Sequence, residues 1–144
     1  MKDLPIFEKV CMNYHFKNTK EGADPDTLIF AKPDLIFELN FVTSEIKTIV
    51  KFDVSLIVQP MFFEIDPDQQ VFTIASAYDG IYINRKKNQY VDLDELYSID
   101  QIRSVIYDTE DEEFYILTNC KEEKMGFYLL KYPKEDPTKS TYLT

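Results

Sequence analysis

The residues best suited to chemistry in this chain are its carboxylates and a single imidazole. His15 is the only histidine among 144 residues, and nucleophilic catalysis needs such a base beside an activated side chain. No G-x-S-x-G stretch and no cysteine signature accompanies it, so His15 reads as a structural or surface residue. Acids are plentiful, 26 Asp and Glu against 16 Lys and Arg, for a formal charge of −10. A glycosidase-like pair would draw on Asp66, Asp68, Asp92 and Asp94, yet each falls in a predicted turn, where solvated Asp is ordinary. The cluster Asp108, Glu110, Asp111, Glu112 and Glu113 lacks the spaced ligands and turn glycine of a calcium loop and reads as a solvated hairpin tip. Cys11 and Cys120 stand far apart with no CxxC or Cys/His spacing, which predicts two free thiols rather than a disulfide framework or a zinc site. Three glycines are too few to build a phosphate-cradling loop. The expectation is a non-enzymatic protein with no catalytic residue, no cofactor and no metal.

The charge balance bears on partners. Phosphate backbones and anionic membranes attract clustered Lys and Arg, and the only basic run is Arg85-Lys86-Lys87, read as a hairpin tip. Nucleic acid and membrane are therefore not expected as partners. Met1 to Pro5 lacks the apolar core of a secretory signal, and no apolar run approaches the roughly 18–20 residues that span a bilayer. With two free thiols, the expectation is an intracellular, reducing, cytoplasmic setting.

The elements that must position these groups are strands. Eleven Phe and ten Tyr beside many β-branched residues suit half-buried pleated surfaces. Residues 1–13 offer Ile6, Phe7 and Val10 as anchors of an early strand or short helix. A turn at Ala23-Asp24-Pro25-Asp26 leads into Leu28 to Ala31, a turn at Lys32-Pro33-Asp34 into Leu35 to Phe41, and a third run covers Ile46 to Phe52. The order returns with Met61 to Ile65, the turn Asp66 to Gln70, Val71 to Ala75, the turn Ala77-Tyr78-Asp79-Gly80, Ile81 to Asn84, and an outer strand at Gln89 to Leu93. It returns again with Ile102 to Tyr107, the acidic turn Asp108 to Glu113, Phe114 to Thr118, a polar loop at Lys121 to Lys124, Phe127 to Lys131, and a last strand at Thr141-Tyr142-Leu143. Asp79-Gly80 between apolar runs is a strong hairpin signal, with Gly80 the residue free to take positive φ.

Asp26, Asp68 and Asp111 end the first turns at intervals of 42 and 43; Phe30, Phe72 and Tyr115 lie in the second strands at 42 and 43; Ile36, Ile81 and Phe127 open the third at 45 and 46. A period of this length is that of a repeat protein. The chain thus reads as one all-β domain, 1–144, with antiparallel blade-like units at about 14–57, 58–101 and 102–144, the alternative being a meandering β-sandwich.

Around Ser76-Ala77-Tyr78-Asp79-Gly80-Ile81 the second unit resembles the turn between the second and third strands of a WD40 repeat, and the likeness extends over residues 14 to 132. Ile83-Asn84 stands where the family carries Trp-Asp, and no Gly-His precedes a unit. The resemblance implies a β-propeller, and propellers close with four to eight blades. Three units leave open edges and uncovered faces, which implies a protein partner or a second copy that closes them. Asp79 and Gly80 are then structural turn residues. Tyr78 and Tyr107, beside turns, are candidates for an interaction rim, since Tyr gives large contact area at low entropy cost. The expected function is a protein-interaction scaffold; the alternative is a hydrolase or ligand-binding propeller that uses channel carboxylates.

Overall fold

The structure, a computed structural model, describes residues 7–11, 13–51, 59–97, 99–120 and 127–143. The anchor expected at Ile6, the end of the run at Phe52 and the loop expected at Lys121 to Lys124 lie outside these residues. Among the described residues twelve strands form three separate four-stranded antiparallel sheets. The first holds β1 (His15–Thr19), β2 (Gly22–Ala31), β3 (Leu35–Asn40) and β4 (Glu45–Lys51) in that order. The second holds β5 (Phe62–Ile65), β6 (Val71–Ala75), β7 (Gly80–Asn84) and β8 (Gln89–Asp92). The third holds β9 (Ile99–Asp108), β10 (Glu113–Cys120), β11 (Tyr128–Pro133) and β12 (Thr141–Leu143). Each is a meander, so every pairing is between strands adjacent in sequence. One helical turn, α1 (Leu93–Leu96), links the second sheet to the third, capped by the Asp92 carboxylate on the Asp94 amide at 3.0 Å.

The first unit differs from its expected outline. Ala23 to Asp26 is not the hairpin turn; that turn lies between Thr19 and Gly22, where Gly22 takes φ 115°. Asp24 to Asp26 form a bulge inside β2, held by the Asp24 carboxylate on the Asp26 amide at 2.9 Å. In the third unit β9 starts at Ile99, three residues before the expected boundary.

Period-two alternation gives each sheet two faces. In β6 and β7 every residue is buried, because this sheet is covered on both sides. Phe63, Phe72, Ile74, Ile81 and Ile83 pack with Ile29, Ala31, Ile36 and Val50 of the first sheet. On the other side Val71, Ala75 and Tyr82, with Leu93, pack with Ile102, Val105, Phe114, Ile116, Leu130 and Tyr132 of the third. The sheets therefore stack in chain order as three layers. Their first strands converge: His15 of β1 bonds the Phe63 carbonyl of β5 at 2.7 Å, and β5 lies against β9.

The facing sharpens the repeat. Phe30 and Phe72 point towards the preceding side of their sheets, and the third residue of that kind is Phe114, not Tyr115. Phe30, Phe72 and Phe114 are spaced by 42 residues each time. Their cross-strand partners are Phe37, Ile83 and Tyr132; of the residues expected to open the third strands, Ile36 and Ile81 are the second residues of β3 and β7, and Phe127 precedes β11. A one-residue slip moves a side chain to the opposite face, so Tyr115 lies on the outer side of the third sheet.

Candidate interaction surfaces

Among the described residues five positions other than glycine take positive φ, and four of them, Ser44, Gln69, Asn88 and Glu112, lie in hairpin loops. Gly80 is not among the positive-φ residues. It pairs with Ala75 as the first residue of β7, and a Cβ there would sit 3.2 Å from Leu93 Cδ1 and 3.5 Å from Ile102 Cδ1. The glycine marks a close approach to Leu93 of α1 and Ile102 of β9 and is not required by the turn. The turn is made by Ser76: its amide donates to the Asp79 carbonyl at 2.8 Å, and its Oγ accepts from the Tyr78 and Asp79 amides at 3.2 and 3.1 Å. The Ala77 carbonyl then accepts from the Ile102 amide at 2.6 Å, tying the turn to β9.

Tyr78 projects from this turn and is 63% exposed. Tyr107 does not share that rim. Its ring packs on Phe114 at 4.8 Å within the layer between the second and third sheets, and burial raises its phenol pKa. Beside Tyr78 at the same end, Arg103 stands 5.8 Å over the exposed Phe127 ring.

At the opposite end the acidic loops converge on a residue in the polar tail. Lys134 Nζ lies 3.4 Å from Asp66, 3.7 Å from Asp68 and 3.2 Å from Glu112. Asp66 is 1% exposed, and its other oxygen accepts from the Gln70 and Val71 amides at 2.9 and 2.8 Å. Burial opposes the Lys134 charge, but the Glu112 hydrogen bond and the surrounding acids hold its pKa above the ordinary lysine value. A cavity of ≈ 320 Å³ opens beside it, lined by Asp66, Asp68, Gln70, Asn84, Lys86 and Glu135 among others. Asp111 is exposed on the neighbouring loop. Asp66 and Asp68 are thus brought together with Glu112, but around one lysine that offsets part of their charge.

A third cluster sits where the first strands meet. His15 Nε2 lies 3.7 Å from Glu64 as well as on the Phe63 carbonyl, so that nitrogen carries the proton. Burial lowers the His15 pKa and pushes the Glu64 carboxyl up to about 7. The buried Cys11 thiol is raised by burial, the opposite of an activated nucleophile. Glu64 escaped the sequence reading because an acid within Met61 to Ile65 looks like an ordinary outward strand residue. Among the described residues no group of three or more His, Cys, Asp or Glu is placed to hold a metal ion, and no helix is long and apolar enough to cross a membrane.

The outer faces of the stack differ. On the first sheet Phe37 and Leu39 are buried, with Phe7 set edge-on to Phe30 at 5.6 Å and to Phe37 at 6.5 Å. On the third sheet the rows Ile106–Tyr115–Lys131 and Leu117–Leu129 form the outer face. There Ile106 is 54% exposed, and Tyr115, Leu117 and Leu129 are half-buried.

No protein-family model matches the sequence, and no curated protein matches it. Solved structures do. A chain in the crystal structure of a nidogen/laminin complex aligns at TM-score 0.55 and 11% identity, covering 83% of this chain and 44% of the other. The β-propeller domain of Myceliophteria thermophila Cps50 (Swd1) aligns at TM-score 0.52 and 9% identity, covering 92% of this chain and 38% of the other. The chain spans less than half the length of the structures it matches. At such identities the likeness is one of fold, and it agrees with the stacked meanders: the three sheets are antiparallel, blade-like repeats of a β-propeller.

Proposed function

We propose that the chain is a non-enzymatic interaction module: an open propeller segment, WD40-like in its Ser76 to Ile81 turn, completed by blades from a partner chain or a second copy. The outer face of the third sheet carries this reading. The first two sheets bury the corresponding side against the next sheet, whereas among the described residues no further sheet packs on Ile106, Tyr115, Leu117 and Leu129. A largely apolar sheet face of this kind, crossed by Lys131 and Ser104, suits an association surface. Where the closing blades come from a partner chain, the net charge of −10 favours one with a basic rim. Light scattering on the isolated chain checks the second-copy form. The expected mass exceeds the 17.0 kDa of one chain and returns to it in Leu117→Asp. A heat-stable monomer at high concentration, unchanged by Leu117→Asp, would remove the need for closure by a second copy.

One observation favours a second reading, a hydrolase or ligand-binding propeller that uses channel carboxylates. It is Glu64, raised to about 7 beside His15 where β1 and β5 meet. A carboxyl still partly protonated near neutrality suits a general acid. Titration with short oligosaccharides, followed at the His15 ring resonances, tests it; an unmoved ring at saturating sugar counts against the reading.

A further inference from the structure

The rings around Phe7 repeat an arrangement found inside the stack. In the third sheet Phe114 and Tyr132 stack across β10 and β11 with centroids 5.5 Å apart, and Tyr82 of the second sheet meets Tyr132 edge-on at 6.0 Å and 79°. In the first sheet the equivalent pair, Phe30 and Phe37, stacks across β2 and β3 at 5.4 Å. Among the described residues no sheet packs on that side of it. Phe7 fills that role, edge-on to Phe30 at 5.6 Å and 80°, with Tyr14 beside it at 5.9 Å. One ring of the N-terminal segment thus does for the first sheet what Tyr82 does for the third.

The segment covers only the middle of that face. Phe16 on β1 and Ile46 on β4, at its two margins, stay exposed. Registers show what a preceding sheet would bring. Tyr82 pairs with Thr73, the residue after Phe72; the matching pair in the third sheet is Lys131 with Tyr115, the residue after Phe114. Lys131 is only loosely held, 3.8 Å from Glu113. A lysine or tyrosine presented to a stacked Phe pair is a favourable contact, through cation–π or edge-on packing.

We propose that Phe7 is a removable stand-in for a blade, and that the outer face of the third sheet of a second copy displaces it from Phe30 and Phe37. The contact continues the interface already formed between the second and third sheets. It is head-to-tail, and two copies joined twice give six blades, within the range at which propellers close. The proposal rests on the reading of the chain as an open propeller segment, and names both its partner and the residue that competes with it.

Sedimentation velocity over a hundredfold concentration range tests this on the full 144-residue chain. Phe7→Ala removes the competitor, so the midpoint of self-association should fall roughly tenfold, the scale of one or two aromatic contacts. Leu117→Asp should abolish association in either background. Because Phe7→Ala also bares aromatic surface, the Phe7→Ala/Leu117→Asp double variant is the control: association that persists there is non-specific and overturns the proposal. An unchanged or raised midpoint in Phe7→Ala, with Leu117→Asp still disruptive, sinks the stand-in while leaving the open-propeller reading intact. Wild type and Phe7→Ala both monomeric throughout would overturn self-assembly altogether.

Discussion

The two layers between sheets are built from different chemistry. Between the first and second sheets the core is aliphatic and Phe-rich, with Cys11, Ile29, Ala31, Ile36, Phe63, Phe72 and Ile74, and its ionisable groups gather at the edge where His15 meets Glu64. Between the second and third sheets hydroxyls and charges enter the layer. Thr73 Oγ1 meets Tyr132 Oη at 2.6 Å, Tyr82 donates to the Lys134 carbonyl, and Lys134 gathers Asp66 and Glu112. Inside the first layer shape decides, with its directional contact, His15 on the Phe63 carbonyl, kept to the edge, so many apolar substitutions of equal volume should fit its interior. The second has directional partners that exist in one register only. Shape sets how well two sheets adhere; the polar network sets how they are aligned.

The largest expected effect is at Lys134. Lys134→Met leaves Asp66 buried without its cation, and breaking a buried pair from one side costs about 3–5 kcal/mol. Asp68 and Glu112 are mostly exposed and contribute little of this. Urea unfolding should show the loss, and Asp66→Asn/Lys134→Met should recover part of it, since the Asn oxygen can still accept from the Gln70 and Val71 amides. A Lys134→Met protein of wild-type stability would show that the second layer is held by its apolar contacts, like the first.

Glu64 is the counterpart in the first layer, and its sign is reversed. Its folded pKa of about 7 lies above the ordinary value of 4.5. The folded state therefore binds the extra proton between those limits, and stability falls as pH rises from about 4.5 to about 7. Glu64→Gln should match wild type below this window and exceed it above, by up to about 3 kcal/mol. His15, with its pKa lowered by burial, acts the opposite way below 6.5, and because it stands 3.7 Å from Glu64 the difference between the two proteins reads the pair. Cys11, whose thiol also feels Glu64, stays protonated across the window. Melting temperatures of both proteins at pH 4, 6 and 8 decide it: parallel curves would mean that Glu64 is hydrated in solution.

Gly80 tests close approach rather than turn conformation. A Cβ meets the flexible end of Leu93 first, and alanine also restricts the unfolded chain, so Gly80→Ala should be near neutral. Gly80→Val overfills the same space and should cost about 1–3 kcal/mol. If alanine were as harmful as valine, the backbone and not the packing would be the constraint.

What the sequence made legible follows from the same division. Strands and period were readable because apolar runs and turn residues recur, and burial demands that recurrence at every sheet. The register slipped by one at Tyr115 because Phe114 and Tyr115 are both aromatic, and only the neighbouring sheet decides which one turns inward. Lys134 was invisible: a lysine in a polar tail looks solvated until folding brings loops from 68 residues away against it. Tyr107 passed for a rim residue for a related reason, since proximity to a turn says nothing of which layer the ring enters.

The smallest expected effect is also the most discriminating for the comparison. Tyr132 is fully buried, and its hydroxyl meets Thr73 across the second layer. Burial raises its phenol pKa, so the bond is made by a neutral hydroxyl at any ordinary pH. Tyr132→Phe or Thr73→Val alone strands one hydroxyl without a partner and should cost about 1–2 kcal/mol. The double variant strands neither, so it should cost less than the two single losses added, with a coupling of about 0.5–1 kcal/mol in a double-mutant cycle. Such coupling would mean that the second layer can be converted to the chemistry of the first without loss of adhesion. Strict additivity would mean that each hydroxyl answers to a separate partner, and that the alignment of the third sheet rests on the other directional contacts, the Lys134 ion pairs, the Tyr82 bond to the Lys134 carbonyl and the Ala77–Ile102 bond.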